Sequence, residues 1–150
     1  MRWLLVLCAG FVVAGLLFVR FAPAHIASVH RPPQVEMPGD YPHDGGVLVV
    51  RKITTTPDRL LHVLDDVIRR TPRTDLIAGG IAEQIMTYQT RSPWMGLPDY
   101  TTVQIVTPDG DDAPILMIDG RPRFGRSDHG TNASRIGRWL DELGLLIIKA

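Results

Sequence analysis

A chain of 150 residues leaves room for one domain and a short appendage, not for two ordinary domains. Sixteen basic and sixteen acidic residues give a formal net charge of zero, which argues against nucleic acid as a partner, because such binders carry a basic excess on one face. The one cysteine, Cys8, excludes an intrachain disulfide.

The chain opens on an apolar run. Trp3 to Val19 (WLLVLCAGFVVAGLLFV) carries no charge and lies between Arg2 and Arg20. A membrane-spanning helix needs about 20 residues and tolerates roughly 17, whereas signal-peptide apolar cores usually run about 7–15. Ala22-Pro23-Ala24 resembles a cleavage site, but Arg20 and Phe21 intrude just ahead of it. Leu5 to Cys8 resembles a lipoprotein box, but Leu7 stands where a small residue belongs. An uncleaved anchor over residues 1–20 is expected, with a cleaved signal or a lipidated form as alternatives. Arg20 and Arg31 outweigh Arg2 and favour a cytoplasmic domain, yet very short N-terminal tails commonly stay inside and export the domain beyond the helix. The reading favours the exported side.

Residues 21–45 are broken by Pro32-Pro33, Pro38-Gly39 and Gly45, and read as an extended, solvated spacer. His25, His30, His43, Asp40 and Asp44 lack the fixed spacing of a zinc site, so no metal is expected, and no cofactor motif occurs. A domain over 46–150, folding alone, is expected. Val47 to Thr54 is a β-branched strand, and Thr56-Pro57 opens a helix whose apolar face runs from Leu60 to Ile68. Asp65 and Asp66 read as its solvated face. Thr74 to Ala78 and Gln84 to Ser92 read as paired strands turned by Gly79-Gly80, and Asp99 to Thr107 as the next. Residues 108–112 read as a hairpin turn, and Ile115 to Phe124 as the last strand, with Gly120 and Pro122 marking a bulge or edge. Ile136, Trp139, Leu140 and Leu143 form a helical stripe over Thr131 to Leu143. The expected fold is α+β: one antiparallel sheet of four to five strands, two helices on one face, and the N-terminal transmembrane helix before it.

Two stretches carry a resemblance. Thr90 to Thr102 (TRSPWMGLPDYTT), and Arg121 to Asn132 (RPRFGRSDHGTN) leading into Arg135-Ile136, resemble the domain of unknown function 1499 family over about Gly46 to Leu143. The resemblance implies a small, single-pass, membrane-anchored member at a bacterial inner membrane. Family members place an arginine-serine pair near the position of Gly120-Arg121-Pro122, which this chain lacks. The resemblance implies no activity.

The densest polar stretch is the junction of loop and helix at 123–135. There, Arg123, Arg126, Ser127, Asp128, Asn132 and Arg135 surround a helix start, where free backbone N–H groups favour an anion. The same residues also suit a purely structural cap. Serine hydrolysis does not fit, since Gly125-Arg126-Ser127-Asp128-His129-Gly130 places its second glycine one residue late and no histidine comes after it. Arg91, Trp94, Asp99 and Tyr100 form a second candidate surface, which lines a pocket, meets the bilayer or plugs the end of the sheet. The expectation is a membrane-anchored, non-enzymatic binding or scaffold module, attached through residues 3–19, with a small anionic or lipid-like ligand. The alternative is an enzyme using Asp128 or His129 as base.

Overall fold

The computed structural model describes residues 2–21, 23, 26–32, 34, 37–108, 113–125 and 128–148. Helix α1 spans Arg2–Phe21, and its apolar window is nowhere buried against the rest of the chain. A four-residue helix α2 (Ile26–Val29) comes next. Strands β1 (Gly39–His43) and β2 (Gly46–Ile53) form a hairpin that leads into helix α3 (Pro57–Arg69). Strands β3 (Thr74–Gly80), β4 (Ile85–Arg91), β5 (Pro98–Val106) and β6 (Ile115–Pro122) then run to helix α4 (Thr131–Leu143), a 3-10 turn (Gly144–Leu146) and β7 (Ile147–Ile148).

The architecture is α+β, as expected, but the antiparallel sheet is larger than four to five strands: seven pair, in the order β1-β2-β6-β5-β4-β3, with β7 on β2. The additions are β1 and β7. Strand β1 reads Gly-Asp-Tyr-Pro-His, a turn-like composition tolerated because the strand lies at an edge and pairs on one side only with β2. Residues 39–43 therefore belong to the sheet rather than to a solvated spacer. The turn between β3 and β4 falls on Ile81 to Gln84, not on Gly79-Gly80. Gly79 instead pairs with Met86 within the β3–β4 ladder, just past the irregularity between Leu76 and Ala78, at φ 75°, where a Cβ would strike the Ile85 carbonyl. The turn expected at 108–112 falls largely on residues outside those described.

One face of the sheet carries Val47, Val49, Met86, Tyr88, Val103, Ile105, Leu116 and Ile118 against α3 and α4, the main core. Gly120 lies in a central strand, not at an edge. Its missing side chain lets α4 approach, since a Cβ there would come within 2.8 Å of Ile136 Cδ1 and 3.2 Å of Asn132 Cβ. Asp65 is not simply solvated: the Tyr88 hydroxyl donates to Oδ1 at 2.6 Å, and Arg69 pairs with Oδ2 at 2.8 Å.

The opposite face is mixed. Leu48, Val50, Ile115 and Met117 make a small apolar cluster beside Tyr41. Next to it the chain after α1 lies across the sheet as a strap. The Val29 carbonyl accepts from Thr102 Oγ1 at 2.5 Å and from Arg121 Nη2 at 2.8 Å, while His30 Nδ1 meets Thr87 Oγ1 at 2.8 Å.

Candidate functional site

Alternation along a strand sends every second side chain to the same face. Asp119, Arg121 and Arg123 obey that period, and register pairs Asp119 with Thr102 and Arg121 with Tyr100 on the strap side. The Asp119 side chain is fully buried and accepts from His43 Nε2 at 2.9 Å, with Arg121 Nη1 3.3 Å from its other oxygen. No hydrogen-bond partner among the described residues reaches Asp119 Oδ2 or Arg121 Nε. Arg123 donates to the Tyr100 hydroxyl at 3.3 Å and to the Pro23 carbonyl at 2.8 Å.

Two cavities meet at Arg121. One of about 460 Å³ is lined by Tyr41, His43, Leu48, Asp119 and Arg121. The other, of about 280 Å³, is lined by Ser28, Val29, Tyr100, Arg121, Arg123 and Phe124. Two guanidinium groups, Arg121 and Arg123, share this trough with the buried carboxylate of Asp119 and with Asp44, which lines the larger cavity. A guanidinium also presents a planar fork of donors, the geometry that carboxylates and phosphates accept.

The structure divides the sequence candidates between the two faces. Asp99, Asp128, Asn132 and Arg135 lie on the helix side. Asp128 accepts from the Gly130 backbone N–H at 3.0 Å and the Asn132 N–H at 2.7 Å, capping α4 across the left-handed residues His129 (φ 52°) and Gly130 (φ 77°). Burial alone would push its carboxyl up, but those hydrogen bonds pull it net below the ordinary value. Arg135 is 5% exposed, bonds Asp99 Oδ2 at 3.1 Å and the Asn132 amide oxygen, and lies 5.9 Å from the Trp139 ring centroid. Burial raises the Asp99 carboxyl, only partly offset by the Arg135 charge. This cluster bonds largely within itself, although Asn132 Nδ2 and Arg135 Nε, like Arg121 Nε, have no hydrogen-bond partner among the described residues.

Tyr100 and Arg123 face the strap. Arg91 donates to the carbonyls of Arg20 at 3.0 Å and Gly96 at 3.2 Å. Trp94 plugs nothing: it is 95% exposed at a loop tip. Arg126 and Ser127 lie outside the described residues. His129 is exposed and lines none of the cavities named above. Sequence reasoning weighed His43 only as a metal ligand, missed Asp119 and placed no role on Arg121. The signal was a lone carboxylate in the apolar run Ile115-Leu116-Met117-Ile118, succeeded by arginines at the strand period.

No group of three or more His, Cys, Asp or Glu among the described residues is arranged to hold a metal ion. The chain belongs to the family described as protein of unknown function (DUF1499), whose model matches residues 28–143. That span takes in the strap at Val29 and the whole of the sheet as far as β6, so both the helix-side cap and the arginine trough lie inside it. No curated protein matches the chain.

Proposed function

We propose that the protein is a membrane-anchored, non-enzymatic binding module that holds a small acidic ligand in the trough between the strap and the strap-side face of β5 and β6. One observation carries this reading: Arg121 and Arg123 stand two residues apart on one face and line adjoining cavities, which sets two planar donor forks side by side for one carboxylate or phosphate. Asp119 has the complementary role of holding the His43 ring and the Arg121 fork in place. On this reading the anion site lies on the other side of the sheet from the start of α4 and shares only Arg123 with the candidates at 123–135.

Anchoring belongs to the same reading. Helix α1 is long and apolar enough to cross a membrane, and the chain returns from it directly onto the trough. An enzyme using Asp128 is disfavoured by chemistry, because both its oxygens accept backbone N–H groups and its carboxyl is held low.

The reading is tested by melting the full chain in detergent with inorganic phosphate, acetate, succinate and glycerol phosphate. A bound anion at 100 times its dissociation constant should add about 2.7 kcal/mol. Arg123→Gln should abolish that gain while the ligand-free protein still unfolds cooperatively. A panel in which no anion moves the midpoint would remove the binding reading.

A further inference from the structure

The end of the sheet nearest α1 carries a second surface, which shares only Phe124 with the trough. The loop joining β4 to β5 is pinched at its base, where Ser92 N–H donates to the Leu97 carbonyl at 2.9 Å and Leu97 N–H to Ser92 Oγ at 3.0 Å. That closure projects Trp94 and Met95, exposed at 95% and 54%. Arg123 N–H donates to the Pro98 carbonyl at 3.0 Å, which places the half-exposed Phe124 beyond the same end of the sheet.

The loop also touches the end of the apolar helix. Gly96 lies at φ 67°, and a Cβ there would come within 2.8 Å of Arg20 Nη1. Arg91 Nη1 links the Arg20 carbonyl to the Gly96 carbonyl. Apolar residues 3–19 of α1 rise about 26 Å at 1.5 Å per residue, nearly the thickness of a bilayer's hydrocarbon core. Arg20 therefore stands where hydrocarbon gives way to headgroups, and the loop stands beside it.

We propose that the β4–β5 loop seats in the interfacial layer of the bilayer that α1 enters, with Trp94 and Met95 dipping below the lipid phosphates and Arg20 and Arg91 level with them. The proposal rests on the anchored reading above. Tryptophan favours this layer because its ring is apolar and its N–H keeps a polar partner, while arginine extends its charge to the phosphates. Two further contacts at the head of the anchor would restrict the tilt of the domain and turn the open end of the sheet towards the headgroups.

The test uses the full chain carrying Trp3→Phe, reconstituted in phosphatidylcholine–phosphatidylglycerol vesicles. That leaves Trp94 and the core residue Trp139 as emitters. Flotation reports attachment, and emission is read with lipids brominated near the headgroup and with aqueous acrylamide. The expected result is co-flotation, strong quenching by brominated lipid, weak quenching by acrylamide, and loss of the lipid-quenched component on adding Trp94→Ser. Co-flotation with Trp94 quenched by acrylamide and untouched by brominated lipid overturns the proposal and leaves the anchor standing. Failure to float overturns both.

Discussion

Trp139 ties the two long helices together at the level of a single residue. Its ring is 2% exposed in the main core, and Nε1–H donates to Thr71 Oγ1 at 2.8 Å, just beyond α3. Trp139→Ala should therefore cost roughly 3–5 kcal/mol in urea unfolding, since it leaves both a cavity and a hydroxyl without its donor. Arg135 obeys the same logic on the polar side. Arg135→Gln strands Asp99 in a largely buried place, so it should cost about 3 kcal/mol in the ligand-free protein and leave anion-dependent stabilisation in place. Had α4 been the anion site, the reverse pattern would appear. Asp128→Ala removes the cap and should cost about 0.5–2 kcal/mol at neutral pH. Its sign with pH is fixed by the direction of the shift. The folded carboxyl titrates below the unfolded value of about 3.9, so the native state binds fewer protons in that window. The wild-type advantage over Asp128→Ala is complete above that value and disappears as pH falls through the folded one. Asp99 runs the other way. Its raised carboxyl favours the folded state as pH falls, so the narrowing with pH should be seen in the Asp128 comparison and not in one made at Asp99.

At the scale of elements, the hairpin β1–β2 and the strap cover what would otherwise be an exposed apolar patch. Leu48, Val50, Ile115 and Met117 are buried beside Tyr41 of β1, and Thr87, Thr102 and Arg121 bond the strap. A fragment beginning at residue 46 loses both, so it should melt earlier than one beginning at 22 and self-associate in sedimentation. Equal midpoints and monomeric behaviour for the two would show that the strap adds nothing. The long elements were legible in the sequence for a physical reason. Where apolar periodicity is strong, as in Leu60 to Ile68 and Ile136 to Leu143, one local pattern fixes the element, and α4 spans the residues its stripe predicts. Strand β1 was not legible because its propensity is poor and its stability comes from pairing with β2. The arginine trough was half legible. The strand period would put Asp119, Arg121 and Arg123 on one face, but the expected bulge or edge at Gly120 and Pro122 hid it, and no local pattern reveals that residues 28–30 return to cover that face.

Across the whole molecule, three features fall at one end: the exit of α1, the Trp94 loop and the trough under the strap. A ligand held by Arg121 and Arg123 would therefore lie close to the headgroup layer, within reach of acidic molecules in water and of acidic lipid headgroups alike. The thermal panel and the vesicle experiment address stability and orientation; occupancy is more direct. The full chain, purified in mild detergent beside Arg121→Gln/Arg123→Gln, can be denatured and its released small molecules identified by mass spectrometry. The account predicts an acidic molecule, a carboxylate or phosphate ester, near one per chain from the wild type and absent from the double variant. Equal recovery from both, or no acidic molecule from a wild-type protein that also fails to take up any of the four anions, would contradict it.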